Sequence, residues 1–208
     1  QRCGDRISRV VDRGAPGDLR VRCRRGSPSI RHEDARGAVG GDQQDVEVGL
    51  IRPLAQSVER AYAGLGHRPD VLVASYHGMP KRYLLEGDPY HCQCQKTSRL
   101  LRERLGWPAG SIDITFQSVF GREEWLRPYT VEHVAELARA GKRRIAVISP
   151  AFAADCIETL EEIQGEIREA FVHAGGEEFT YIPCLNDDDA HIAALMAVLG
   201  ANLAGWAD

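Results

Sequence analysis

The stretch that decides the fold is VLVASYH, residues 71–77. It is a short, continuously apolar run with β-branched residues, which is typical of a strand buried on both faces. Gly78 and Pro80 follow it and end the strand. We therefore expect an inner strand of a parallel sheet, covered by helices above and below.

Three further strands are predicted along the chain, at IDITFQS (112–118), RRIAVISP (143–150) and EFTYIPC (178–184). Helical patterns alternate with them, over 53–65, near 93–105, from Thr130, over 155–173, and from the caps at 186–189 to about residue 203, with a polar loop at 78–91. Thr130 is predicted to be the N-cap of its helix. This alternation predicts an α/β fold, a doubly wound parallel sheet with helices on both faces. Ligands of such sheets lie outside the carboxyl ends of the strands.

The first part of the chain has a different composition. Residues 1–70 contain 13 Arg and no Lys, and Tyr62 is the first aromatic residue of the chain. Because large apolar side chains dominate cores, we expect a poorly ordered Arg- and Gly-rich leader over 1–46 and an α/β lobe over 47–208. Arg contacts phosphate, but the leader offers no aromatic ring for base stacking, so nucleic acid is not an expected partner.

Composition also bears on location and redox state. The sequence has no run of 18 apolar residues and no apolar signal-peptide core near residue 1, which predicts a cytoplasmic protein. No strongly basic amphipathic helix is visible, so any membrane contact is expected to be peripheral. The six cysteines are scattered and predict free thiols rather than disulfides. The oligomeric state has no signal in the sequence.

His77 is the first candidate functional residue, because it is the last residue of the first strand. A buried, satisfied histidine is the ordinary explanation for such a position. Here the chain breaks at Gly78 and Pro80, which leaves the imidazole at the edge of the cleft. A neutral imidazole accepts a proton or binds a divalent metal near neutral pH.

Glu158 is the second candidate, in the segment FAADCIETLEE (152–162) after the third strand. Asp155 is predicted to be a helix N-cap, and Glu161 and Glu162 to be solvated helix surface. Glu158 belongs to the same rim as His77. An imidazole and a carboxylate that face each other form a site for an incoming metal ion or for proton transfer.

The sequence lacks the motifs that are typical of phosphate-binding loops, serine hydrolases and zinc ribbons. Neither G-x-G-x-x-G nor G-x-x-x-x-G-K-[ST] occurs, so a phosphate loop is not expected. The sequence has no G-x-S-x-G elbow of the serine hydrolases. Cys92 and Cys94 form a Cys-x-Cys pair without a second pair at zinc-ribbon spacing.

At these residues the chain resembles the ferrochelatases, the enzymes that insert ferrous iron into a porphyrin in haem synthesis, and most closely their bacterial members. The matching blocks lie in order across about residues 53–204. They are SYHGMPKRYLLEGDPYHCQCQKT (75–97), TFQSVFGREEWLRPYT (115–130), SPAFAADCIETLEEI (149–163) and YIPCLND (181–187). The resemblance implies the C-terminal lobe of a two-lobed chelatase fold that clamps the porphyrin between its lobes.

The resemblance also implies roles for particular residues. It places the family's active-site His at His77 and its active-site Glu at Glu158, which bind the metal and handle the pyrrole protons. Which of the two takes the protons stays open. Tyr76, Gln117 and Trp125 lie in matched blocks, and for each of them lining the pocket and packing are equal alternatives.

Departures from the family pattern set further expectations. Val119 stands where bacterial members have a basic residue, and Cys156 stands where animal-type members have a second His. Some members bind a 2Fe–2S cluster through a C-terminal group of cysteines. This sequence has no Cys after Cys184, so we expect no cluster and treat ferrous iron as a substrate.

The expected function is therefore insertion of ferrous iron into protoporphyrin IX to form protohaem. Two alternatives stay open: a truncated, non-catalytic fragment that binds porphyrin or metal, and a chelatase for coproporphyrin or another divalent metal. Nothing in residues 1–46 matches the N-terminal half of the family.

Overall fold

The computed structural model describes residues 43–203, 205 and 206. Its centre is one four-stranded parallel sheet. The strands are β1 (Val71–His77), β2 (Ile112–Gln117), β3 (Arg144–Ile148) and β4 (Glu178–Ile182), in the spatial order β2-β1-β3-β4. The four predicted strands are all present, and the first has the predicted bounds.

Helices connect the strands. They are α1 (Gln43–Leu65), α2 (Lys81–Glu86), α3 (Tyr90–Arg104), α4 (Thr130–Arg139), a π-helical segment (Glu158–Ile167) that continues as α5 (Arg168–His173), and α6 (Asp189–Leu203). Strands and helices alternate from α1 to α6, apart from the helix pair α2–α3 and the π-helical segment that leads into α5. No described helix is long and apolar enough to cross a membrane.

The side chains of β1 explain why both faces of the sheet are covered. Leu72, Ala74 and Tyr76 belong to one buried cluster with residues of α1 and α3. Val73 belongs to a second cluster with residues of α4, the π-helical segment and α5, among them Phe171. Successive side chains of a strand point to opposite faces, so a continuously apolar strand needs two apolar layers. The doubly wound α/β fold is confirmed.

The strand order determines where the sheet can hold a ligand. The chain passes from β1 outward to β2 and then crosses back over β1 to form β3 on its other side. The connections that leave β1 and β3 therefore diverge to opposite sides, which opens a crevice at their carboxyl ends. His77 is the last residue of β1, and Glu158 lies in the segment that follows β3.

Several local predictions differ from the structure. The first helix begins at Gln43 rather than residue 53 and continues through Pro53, although Pro is favoured at a helix start. The predicted loop 78–91 contains the short helix α2. The predicted boundary between residues 46 and 47 falls inside α1, and residues 1–42 of the predicted leader lie outside the described residues.

Thr130 is the first residue of α4 rather than its N-cap, which is Tyr129. The Thr130 hydroxyl is buried and bonds to the hydroxyls of Ser75 and Thr115, at 2.8 and 2.9 Å. A hydroxyl engaged with the sheet is no longer available to cap backbone N–H groups. Tertiary packing therefore overrides the local capping signal.

Candidate functional site

His77 ends β1 at the crevice and is half-buried. Its ring atom Nδ1 lies 2.7 Å from the backbone oxygen of Gly78. Because a carbonyl oxygen only accepts hydrogen bonds, Nδ1 carries the hydrogen. The neutral ring therefore keeps the lone pair on Nε2, which is the atom that can take a proton or bind a metal ion.

The backbone around His77 is fixed from two sides. The Tyr90 hydroxyl, at the start of α3, donates to the backbone oxygen of His77 at 2.9 Å. The Gly78 N–H donates to the backbone oxygen of Gln117 at 2.6 Å. A Cβ at Gly78 would lie 2.6 Å from that oxygen and 3.1 Å from the Trp125 ring, so only glycine fits. This close approach holds the imidazole at the edge of the sheet.

Glu158 begins the π-helical segment after β3. Its pKa is lowered, first by the hydrogen bond from the Cys156 thiol, then by its own backbone N–H and by the attraction of His77. The carboxyl group is therefore an anion near neutral pH. In return, the pKa of the Cys156 thiol is raised, mainly by burial and then by its hydrogen bond to Glu158. His77 ends β1 and Glu158 lies in the segment after β3, and these two strands are neighbours in the sheet.

Gln117 lies at the end of β2 and holds the backbone of Glu158 by a hydrogen bond. Its side chain is only 2% exposed, accepts a hydrogen bond from the Ser75 hydroxyl at 2.6 Å, and donates to the backbone oxygen of Glu158 at 2.7 Å. Gln117 therefore ties the start of the π-helical segment to the sheet. A π-helical turn is frequent at functional sites, where it changes the direction of side chains.

Glu162 is not solvated helix surface, and that prediction is wrong. Its carboxylate accepts from the Ser118 N–H at 2.7 Å, from the Ser118 hydroxyl at 2.5 Å and from Gln117 Nε2 at 3.3 Å. Ser118 has a φ of 60°, which is unusual for a residue other than glycine. Glu162 thus fixes the loop after β2 to the π-helical segment. Glu161 is exposed, as predicted.

Tyr76 and Trp125 both have packing roles. Tyr76 is buried, and its hydroxyl lies 2.8 Å from that of Ser98 on α3. Trp125 is buried against Gly78, and its indole Nε1 has no hydrogen-bond partner. Phe120, whose ring centroid lies 6.0 Å from that of Trp125, is 64% exposed.

The predicted N-cap role of Asp155 is wrong, because Ile157 precedes the π-helical segment. The Asp155 carboxylate instead bonds to Tyr181, Thr159, Asn186 and the backbone of Cys184. Burial raises the pKa of Asp155, but these hydrogen bonds outweigh burial and hold the pKa below its usual value. Sequence reasoning missed Tyr181 and Asn186, which lie in the matched block at 181–187.

The site offers two donors to a metal ion, His77 Nε2 and the Glu158 carboxylate. Within the described residues, no group of three or more His, Cys, Asp or Glu side chains could hold a metal ion. The described cysteines are thiols rather than disulfides, which agrees with the prediction for Cys92, Cys94, Cys156 and Cys184. Cys3 and Cys23 lie outside the described residues.

A family model described as ferrochelatase matches residues 46–203. The chain belongs to the ferrochelatase family. The ferrochelatase of Rhodobacter capsulatus is 80% identical over 158 residues, which are 76% of this chain and 45% of that protein. The ferrochelatase of Allorhizobium ampelinum is 56% identical over 156 residues, 75% of this chain and 45% of that protein.

These ferrochelatases are more than twice as long as the matched region, because the chain spans about 45% of their length. A solved structure of SirB from Bacillus subtilis with Fe3+ is also similar, with a TM-score of 0.47 and 16% identity. That match covers 74% of this chain and 55% of the SirB chain, and it is too distant to bear on the site.

Proposed function

We propose that this chain is the lobe of a ferrochelatase that contains His77 and Glu158, and that the enzyme inserts ferrous iron into protoporphyrin IX to form protohaem. One observation carries the proposal. His77, whose Nδ1 is used by a carbonyl oxygen, and Glu158, whose pKa is lowered, lie on the segments at the carboxyl ends of the neighbouring strands β1 and β3, where the strand order of the sheet reverses. Membership of the ferrochelatase family supports the same assignment.

The two side chains match the chemistry of metal insertion. The porphyrin loses two pyrrole protons, and Fe²⁺ loses bound water and gains four nitrogen ligands. A neutral imidazole can accept a proton at neutral pH, and a carboxylate can hold the cation during the exchange. Iron enters here as substrate, and we propose no resident cofactor.

The surroundings of the pair suit a flat apolar substrate. Large apolar side chains are exposed on the segments that follow β1, β2 and β3, namely Tyr83, Leu85, Val119, Phe120, Ile157 and Leu160. Exposed apolar groups at a rim are often covered by a ligand or a protein surface. We propose that a porphyrin face covers part of this rim, in a cytoplasmic protein with at most peripheral membrane contact.

The test is anaerobic metal insertion by the purified chain. Fe²⁺ or Zn²⁺ is mixed with protoporphyrin, and the metalloporphyrin is followed by absorbance or fluorescence. We expect His77→Ala and Glu158→Gln each to lower the rate by at least about 100-fold, since a positioned acid or base contributes that much.

His133→Ala is the matched control. His133 is also half-buried and pairs with Asp113 at 2.8 Å on another part of the sheet, so the rate should not change. Turnover that survives His77→Ala would overturn the assignment of His77. Absence of turnover in the unmodified chain, with porphyrin binding retained, would support a non-catalytic fragment instead. Titration with coproporphyrin and insertion assays with Co²⁺ then rank the substrates.

A further inference from the structure

The end of β4 and the loop after it contact the turn Asp155–Thr159, which contains Glu158. Asp155 is the anchor of this turn. Oδ1 of Asp155 accepts hydrogen bonds from the Tyr181 hydroxyl at 2.5 Å, from the Thr159 hydroxyl at 3.1 Å and from the Cys184 N–H at 3.3 Å. The same carboxylate therefore joins β4 to the turn.

Asn186 completes this anchor with a reciprocal pair of hydrogen bonds. Its Nδ2 donates to Oδ2 of Asp155 at 2.8 Å, and its Oδ1 accepts from the Asp155 N–H at 2.8 Å. Its own N–H donates to the Ala153 oxygen at 3.0 Å. Asn186 has a φ of 48°, a conformation that Asn tolerates better than most residues.

These contacts occupy both oxygens of Asp155. Oδ1 accepts from three donors and Oδ2 accepts from one. The Asp155 carboxylate is therefore engaged with β4, with the loop after it and with the turn, three residues before Glu158. Its role is to hold the turn.

Hydrogen bonds of Thr159 also fix the part of the turn that contains Glu158. The Thr159 side chain is fully buried, donates to Asp155, and accepts from the Cys156 N–H at 2.9 Å. The Thr159 N–H also donates to the Cys156 oxygen at 3.1 Å, which closes the turn around Glu158. A continuous set of hydrogen bonds thus runs from Tyr181 and Asn186 through Asp155 and Thr159 to the backbone of the turn that contains Glu158.

We propose that Tyr181 and Asn186 are positioning residues that orient Glu158 toward the metal through the Asp155 carboxylate. This inference rests on the proposed function, in which Glu158 contacts the metal. Groups behind a metal ligand typically affect metal affinity or activity by tenfold or more without touching the metal.

The test uses Tyr181→Phe and Asn186→Gly. The first removes only the hydroxyl, and the second removes the amide while glycine keeps the left-handed backbone. We expect each to raise KM for Zn²⁺ about tenfold, with KM for protoporphyrin unchanged. Tyr62→Phe is the matched control, because Tyr62 is also half-buried but lies near the amino ends of the strands.

A second measurement does not depend on turnover. Iodoacetamide alkylation at a fixed, mildly alkaline pH is mapped by mass spectrometry, with the half-buried Cys92 as internal reference. Loss of a hydrogen bond to a charged group should loosen the turn and speed Cys156 alkylation about tenfold. Cys92 alkylation should not change.

The outcomes separate the two proposals. If the unmodified chain inserts no metal, the proposed function fails for this chain, and Cys156 alkylation still tests the anchor. If the unmodified chain is active while KM for Zn²⁺ and Cys156 reactivity are the same in both variants, the positioning role is wrong. A rise in both KM values would also overturn it, since a general loss of structure predicts that result.

Discussion

The two ends of the parallel sheet differ in how their side chains are used. At the amino ends, Tyr62 and Trp107 stack with centroids 5.5 Å apart, and the Arg68 guanidinium lies 4.3 Å from the Trp107 ring centroid. At the carboxyl ends, polar side chains such as Gln117 and Glu162 are engaged in hydrogen bonds around His77 and Glu158. The amino ends of the strands are therefore stabilised by packed aromatic rings, whereas the carboxyl ends are held by hydrogen bonds between polar groups.

An open cavity lies at the end of the sheet opposite the candidate site. The amino end has an open cavity of about 320 Å³, lined by Val58, Glu59, Tyr62, His67, Arg68, Leu105 and Trp107. Among its lining side chains, His67 Nε2 lies 3.1 Å from Glu178 Oε2, and the Arg68 guanidinium lies over the Trp107 ring. The carboxyl end instead has two non-glycine residues with positive φ, Ser118 and Asn186. Such backbone strain is common at functional sites.

Gly78→Ala should give the largest difference between the two ends. The new Cβ would lie 2.6 Å from a backbone oxygen of β2, which cannot rotate away. We expect a loss of about 1–3 kcal/mol of unfolding free energy and loss of metal insertion. Urea unfolding and the insertion assay measure the two effects.

Gly64→Ala is the control for this prediction. Gly64 lies in α1, and its added Cβ would meet nothing within 4 Å. We expect a gain of about 0.5–1 kcal/mol from the higher helix propensity of Ala. Equal effects of the two substitutions would mean that the carboxyl end is no more constrained than the rest of the fold.

Glu162→Ala should have an intermediate effect. It leaves the Ser118 N–H and hydroxyl and one donor of Gln117 without their acceptor. We expect a loss of about 1–3 kcal/mol in urea unfolding, together with slower metal insertion as the loop after β2 detaches. Glu161→Ala, one residue earlier and exposed, should change stability by less than about 0.5 kcal/mol.

The smallest effect concerns acid stability, where the two ends should behave alike. Backbone N–H groups of Arg144 and Arg143 lower the pKa of Asp70 at the amino end, and hydrogen bonds lower that of Asp155 at the carboxyl end. A lowered native pKa stabilises the fold above the ordinary carboxyl pKa, and this stabilisation disappears as the pH falls through the native value.

Asp70→Asn and Asp155→Asn should therefore each flatten the loss of stability below about pH 4, as measured by urea unfolding at several pH values. Only Asp155→Asn should also slow metal insertion, since Asp155 anchors the turn before Glu158. An equal activity loss in Asp70→Asn would contradict the separation of the two ends.

Local patterns predicted much of the fold because each strand is short, apolar and bounded by breakers. VLVASYH was sufficient to place β1, and the order of strands and helices was sufficient for a doubly wound sheet. The start of α1 was missed because Pro53 signals a helix start, whereas packing carries the helix through it. Thr130 was misassigned because its hydroxyl bonds to distant strand residues.

Part of the candidate site was also predictable. His77 and Glu158 follow two strands of a parallel sheet, and the carboxyl ends of such strands share one edge. Glu162 gave no local signal, since its partner Ser118 lies 44 residues away. The same holds for Asp155 and Tyr181, which are 26 residues apart and meet only because β4 lies beside β3.

The sequence by itself determined the α/β class, the strand positions and the choice of His77 and Glu158 as candidates, because these follow from local apolar periodicity and from parallel strands. Only the tertiary structure decided the order β2-β1-β3-β4, the protonated Nδ1 of His77 and the anchoring of Asp155 and Glu162. These features depend on which strands become neighbours. Hydrogen bonds are short and directional, so a residue type in a sequence does not state which distant partner will come within reach.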